Sequence, residues 1–122
     1  MAGELILIVE DNDKNMKLFR DVLNAKGYET IEATTAEDGL ELASTRAPAL
    51  VLMDVQLPGM HGVEALAHLR ADARTTSLPV LALTAQAMQG DRERFMKAGF
   101  DGYLAKPIDV LELIAAVDRH CR

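Results

Sequence analysis

Five positions in the chain carry side chains able to handle a charged oxygen or phosphorus centre, and each closes a short apolar run. Glu10 and Asp11 follow Leu5-Ile6-Leu7-Ile8-Val9, and Asp54 follows Leu50-Val51-Leu52-Met53. Thr84 follows Pro79-Val80-Leu81-Ala82-Leu83, and Lys106 follows Gly102-Tyr103-Leu104-Ala105. Brought together, Glu10, Asp11 and Asp54 carry about −3, and like charges about 4 Å apart repel by roughly 4 kcal/mol at an effective dielectric near 20. Such a cluster calls for a cation. An all-oxygen ligand set suits a hard divalent ion that keeps several waters, Mg²⁺ above all, and no His or Cys lies near these positions in sequence to favour a softer metal. Lys106 adds a compact positive charge and Thr84 a hydroxyl, so the set reads as phosphoryl-handling. Singly, each residue has a plainer reading: Asp54 as a turn residue, Lys106 as a solvated loop charge before Pro107, Thr84 as a helix cap. Their shared position at apolar strand ends favours the chemical one.

Those residues meet only if the runs are parallel, neighbouring strands, and the pattern between them supports this. Continuous apolar runs fit strands covered on both faces, and amphipathic stretches alternate with them. Asn15 to Lys26 reads as a helix stopped by Gly27; Tyr28 to Ala33 is a more polar, edge-like strand; Thr35 caps a helix with Leu40, Leu42 and Ala43 on its apolar side, closed by Pro48. Gly62 to Arg70 is a helix presenting Val63, Leu66 and Ala67, and Met88 to Ala98 one with Phe95 and Met96 inward, stopped by Gly99. Asp109 with Glu112 opens a last helix through Leu111, Ile114, Ala115 and Val117, ending in a frayed turn at His120 and Cys121. Five β-α repeats predict an α/β fold, a parallel sheet with helices on both faces, whose ligands bind beyond the carboxyl ends of the strands.

Composition bounds the rest. At 122 residues the chain is one domain, and 49% apolar with 26% charged residues excludes overall disorder. Aromatics are 4% with no Trp, so the core is aliphatic. Thirteen basic against nineteen acidic residues, a net −6, argues against direct nucleic-acid binding. Cys121 is a lone cysteine, and no secretory signal or membrane-length apolar run is present, so the expected location is cytoplasmic, off the membrane.

The ordered motifs resemble the receiver domain of two-component response regulators, over essentially the whole chain. The pieces are Val9-Glu10-Asp11-Asn12, Leu52-Met53-Asp54-Val55-Gln56-Leu57-Pro58-Gly59-Met60-His61-Gly62, Leu83-Thr84-Ala85, and Gly99 through Pro107, with intervals of 43, 30 and 22 residues separating Asp11, Asp54, Thr84 and Lys106. Within the family the chain looks most like stand-alone receivers of the DivK type, on Glu10-Asp11-Asn12 with Asn15-Met16-Lys17-Leu18-Phe19. The resemblance implies a five-stranded parallel sheet in the order 2-1-3-4-5, the flavodoxin-like receiver fold, forming a single domain over residues 1–122 without an output domain, either a complete stand-alone receiver or a fragment.

It further implies that Asp54 is the phosphoacceptor, receiving a phosphoryl group from a histidine kinase or histidine phosphotransfer protein. Asp11, Asp54 and the backbone carbonyl of Gln56 would ligate Mg²⁺, with Glu10 acting mainly through metal-bound water. Lys106 would pair with Asp54 and then with the phosphoryl group. Thr84 and Tyr103 would form the switch, with Ala85 small enough to leave access, and the Lys106–Pro107 peptide bond would be cis. The surface of the fourth helix, fifth strand and fifth helix, carrying Gln89, Asp91, Arg94, Asp118 and Arg119, would change and control a downstream protein target. Gln56 and Gln86 would tune the lifetime of the phosphorylated state, and the chain would be a monomer or weak dimer. On this reading the protein is not an enzyme beyond self-phosphotransfer and autodephosphorylation. Two rivals stand beside it. A small Mg²⁺-dependent phosphohydrolase with an Asp54 nucleophile would need an acid two residues on, where Gln56 stands. A phosphorylation-independent adaptor would be marked by loss of an acidic residue or Lys106, and all are present. His61 and His68 read as exposed structural residues.

Overall fold

A computed structural model describes residues 3–85 and 89–121, with side chains given outside 89–92. Gln86 and Met88 therefore lie outside the described residues, as do the side chains of Gln89 and Asp91. The element order is β1 (Leu5–Val9), α1 (Asp13–Ala25), β2 (Glu29–Ala33), α2 (Ala36–Arg46), β3 (Leu50–Asp54), α3 (Gly62–Ala71), β4 (Val80–Thr84), α4 (Gln89–Ala98), β5 (Gly102–Ala105) and α5 (Val110–His120). All strand pairs are parallel and the order is β2-β1-β3-β4-β5.

Side-chain alternation along the strands divides the core into two layers. Leu7, Val9, Val51, Met53, Val80 and Ala82 pack with residues of α2, α3 and α4, while Ile6, Ile8, Leu50, Leu52, Leu81, Leu83 and Leu104 pack with residues of α1 and α5. The central strands β3 and β4 are buried at every residue, as their unbroken apolar runs require, and the polar edge-like strand is indeed the β2 edge.

Caps set the helix boundaries. Asn12 accepts from the Asn15 N–H, so α1 begins two residues before the expected start; Thr35 accepts from Asp38 N–H, and Asp109 from the Leu111 and Glu112 N–H groups. Gly27 and Gly99 take φ of 93° and 111° just past α1 and α4, a conformation that side chains with a Cβ resist.

Helix phase is where the sequence pattern misleads. α3 buries Gly62, Ala65, Leu66 and Leu69, leaving Val63 and Ala67 exposed. On α4 Phe95 is buried but Met96 faces out, and on α5 the buried pair is Leu113 and Val117, with Leu111 77% exposed and Ala115 also outside. In α2 the buried stripe is Ala36, Gly39 and Ala43, with Leu40 and Leu42 at its margin. In α2 every buried residue is small, and in α3 Gly62 and Ala65 share the inner face with Leu66 and Leu69, so in these two helices bulk alone does not mark the inner face. Cys121 is not frayed: it caps α5 through its N–H on the Val117 carbonyl, and its side chain packs against the α1/α5 layer.

Candidate acidic phosphoryl-handling site

The carboxyl ends of β1, β3, β4 and β5 deliver the chemically able residues to one rim of the sheet. Glu10 leaves β1 where Val9 pairs with Met53; Asp54 ends β3 opposite Leu83; Thr84 ends β4 opposite Ala105, the residue before Lys106. Carboxylate oxygens of Glu10, Asp11 and Asp54 lie within 4.8 Å of one another, and among the described residues this is the group of acidic, His or Cys side chains able to hold a metal ion. Unit charges at that separation repel by roughly 3.5 kcal/mol per pair at an effective dielectric near 20.

Lys106 supplies the opposing charge. Its Nζ donates to Asp54 Oδ2 at 2.9 Å and lies 3.0 Å from Glu10 Oε1, an ion-pair distance without hydrogen-bond alignment. Two backbone amides hold the remaining oxygens: Gln56 N–H donates to Asp54 Oδ1 at 2.9 Å, and Asn12 N–H to Glu10 Oε2 at 3.1 Å. Glu10 is 1% exposed and Asp54 2%, whereas Asp11 is exposed at the mouth. Burial is the strongest influence on Glu10, and with the neighbouring Asp54 charge it lifts the carboxyl above its usual range against the pull of Lys106. Burial alone would lower Lys106, but its contacts with Asp54 and then Glu10 outweigh it and hold the ammonium above its ordinary value.

One ammonium against three carboxylates leaves the cluster short of positive charge, and Glu10 Oε1 and Asp54 Oδ2 must share it, at 3.0 and 2.9 Å. Hard oxygen donors, a charge deficit and an exposed mouth at Asp11 fit a divalent cation of the Mg²⁺ kind. The arrangement can therefore hold a cation beside a buried, oriented carboxylate that keeps one oxygen on an ammonium, which is the equipment for gathering phosphoryl oxygens.

The other expected residues fall near this rim in different ways. Thr84 is fully buried, and its carbonyl accepts from the Lys106 N–H at 2.7 Å. Ala85 is exposed directly beyond β4. Tyr103 pairs with Ala82, two residues before Thr84, so alternation puts Tyr103 and Thr84 on the same sheet face of neighbouring strands, and Tyr103 packs half-buried against the α2–α4 layer. The Lys106–Pro107 peptide bond is cis. His61 and His68 are exposed, with His61 ahead of α3 making no cap hydrogen bond.

The expected switching surface needs one correction. Asp118 does not join Arg119 on the α4–β5–α5 side; its carboxylate accepts from the hydroxyl of Tyr28, which is buried next to β2 on the α1 side. Arg119 does face that side, lining a groove of about 210 Å³ with Met96, Tyr103 and His120. Sequence reading missed the two backbone amides of Asn12 and Gln56, which no side-chain pattern reports; the Asn12 cap was the available signal for the first.

Comparison with known proteins agrees with this geometry. The family model described as the response regulator receiver domain matches residues 6–118. The polar-differentiation response regulator DivK of Brucella ovis is 46% identical over 112 residues, 92% of this chain and 91% of that protein. The receiver domain of a sensor histidine kinase from Pseudomonas aeruginosa, solved with a magnesium ion in its active-site cleft, has a TM-score of 0.90 at 36% identity over 98% of each chain. The chemotaxis response regulator CheY4 of Vibrio cholerae, at 24% identity, shares the fold with a TM-score of 0.91 over 98% of this chain and 99% of that one. The chain belongs to the response regulator receiver domains, the signalling modules of two-component and phosphorelay systems.

Proposed function

We propose that the chain accepts a phosphoryl group on Asp54 from a phosphohistidine of a kinase or phosphotransfer partner. The observation that carries this reading is the buried Asp54 carboxylate, held by the Gln56 amide on one oxygen and Lys106 on the other inside an acidic rim. One carboxylate oxygen bonds to phosphorus as the phosphorus–nitrogen bond of the donor breaks, and the departing imidazole takes up a proton from solvent. Asp11, Asp54 and the Gln56 carbonyl would hold Mg²⁺, with Glu10 acting through its waters, and the ion would offset phosphoryl charge and align the donor. Lys106 stays within reach of Asp54 and is placed to move onto a phosphoryl oxygen.

Transfer takes Asp54 from about −1 to roughly −2 and adds acceptor oxygens. The Thr84 hydroxyl turns toward them, and Tyr103, on the same face of the next strand, moves into the released space. The α4–β5–α5 surface with Arg94 and Arg119 then changes its population of states, and the signal leaves by contact with a downstream protein in the cytoplasm. Among the described residues no helix is long and apolar enough to cross a membrane. Incubation with acetyl phosphate and Mg²⁺ tests the acceptor: intact mass gains one phosphoryl group in the wild type and none in Asp54→Asn, and amide resonances near Asp54 and Tyr103 shift. Labelling of Asp54→Asn at the wild-type rate overturns the assignment.

A further inference from the structure

We propose that Gly62 is a positioning residue for Asp54, and that α3 acts as a clamped strut which seats it. The first residue of α3 lies directly against the backbone of the acceptor. A Cβ built on Gly62 would sit 2.6 Å from the Val55 Cα and 2.7 Å from the Asp54 carbonyl oxygen, and the Gly62 N–H donates to the Val55 carbonyl at 3.2 Å. These neighbours are backbone atoms at the buried carboxyl end of β3, so no side-chain rotation relieves the contact.

The other end of the helix is held. The Arg70 guanidinium donates to the carbonyls of Thr76 and Leu78 at 3.1 and 2.6 Å, to the Gly99 carbonyl at 2.9 Å, and to Asp101 Oδ2 at 3.0 Å. Asp101 Oδ2 also accepts from the Val80 N–H at 2.8 Å, which ties the clamp to the start of β4. Between the two ends, Ala65, Leu66 and Leu69 are buried in the core. α3 is therefore pinned at the base of the sheet and pressed at the rim against the Asp54–Val55 peptide. The seat bears directly on the segment whose next amide, Gln56 N–H, orients Asp54 Oδ1.

This inference rests on Asp54 being the acceptor and adds what places it. A side chain at position 62 must push the Asp54–Gln56 segment or lift the helix end, and a displacement of about 1 Å near a reacting group can lower a rate by roughly a hundredfold. Gly62→Ala is expected to slow phosphorylation by acetyl phosphate in Mg²⁺ by at least about tenfold, with far-UV circular dichroism unchanged and the Gln56 amide resonance shifted. Arg70→Met in the wild-type background loosens the seat and lowers the rate about two- to fivefold. In the Gly62→Ala background the same change frees the helix to yield, and the rate rises. That reversal of sign is the signature of the strut, because two independent structural losses add instead.

A wild-type rate in Gly62→Ala, or additive losses in the double variant, overturns the proposal. Should Gly62→Ala not fold, Arg70→Met carries the test: an unchanged rate and an unmoved Gln56 amide there overturn it as well. Failure of the acceptor reading is separate, since it shows as labelling of Asp54→Asn.

Discussion

The two ends of the sheet handle buried charge in opposite ways. At the carboxyl rim, Glu10 and Asp54 share one ammonium, and a third carboxylate stands beside them. At the amino end, the Arg70 guanidinium meets four acceptors drawn from two loops, and the Tyr28 hydroxyl is bonded to Asp118. At the base each of these polar groups has its partners, whereas the crowding of like charges at the rim is a local conflict of the kind expected where something is to be bound. The base holds the layers together, and the rim keeps an acidic cluster under electrostatic tension that a cation would relieve.

The largest expected separation between these regions comes from Asp54→Asn. It abolishes phosphorylation while leaving the metal-free fold as stable as the wild type or more so by about 1 kcal/mol, because one repelling charge is gone. Urea melts without divalent ions measure this, and a clear loss of stability would place Asp54 with the base rather than the rim. Arg70→Met is expected to act the other way, lowering stability by about 2 kcal/mol through lost charge-assisted hydrogen bonds, with the same melts as the readout.

Mg²⁺ sharpens the contrast further. At about one hundred times its Kd it stabilises the native state by roughly 2.7 kcal/mol, raising Tm by on the order of 10 °C for a chain of this length. Asp54→Asn blunts that rise far more than Arg70→Met does, so calorimetry with and without Mg²⁺ assigns the effect to the rim.

The smallest effect lies at the base and is alkaline. Burial, followed by the nearby Glu4 and Asp118 carboxylates, pushes the Cys121 thiol from 9.0 up to about 11, and burial with the Asp118 bond raises Tyr28 as well. The native state then binds protons that the unfolded chain has released, so stability is complete below pH 9 and declines as pH rises from about 9 to 11. Unfolding midpoints across that window should fall more steeply in the wild type than in Cys121→Ser.

Element types were legible in the sequence because strand and helix periods differ, and strand ends were legible because apolar runs stop abruptly at Glu10, Asp54, Thr84 and Lys106. Helix phase was less so. Val63, Met96 and Leu111 are large and apolar yet face outward, while Gly62 and Ala65 of α3 and Gly39 and Ala43 of α2 are buried, so residue size does not fix which face turns inward. Asp118 looked like a surface charge because nothing nearby in sequence announces a partner 90 residues away in Tyr28.

By itself the sequence determined an α/β chain of five alternating repeats, its aliphatic core, its acidic balance and the set of residue types able to manage phosphoryl chemistry. These are properties of local pattern and composition, which survive without knowledge of contacts. Only the tertiary structure decided that Lys106 opposes Asp54 and Glu10 at once, that main-chain amides of Asn12 and Gln56 aim the two carboxylates, and that Gly62 bears on the Asp54 peptide. Those relations depend on distances between segments far apart in the chain, and parallel strand register is what sets them.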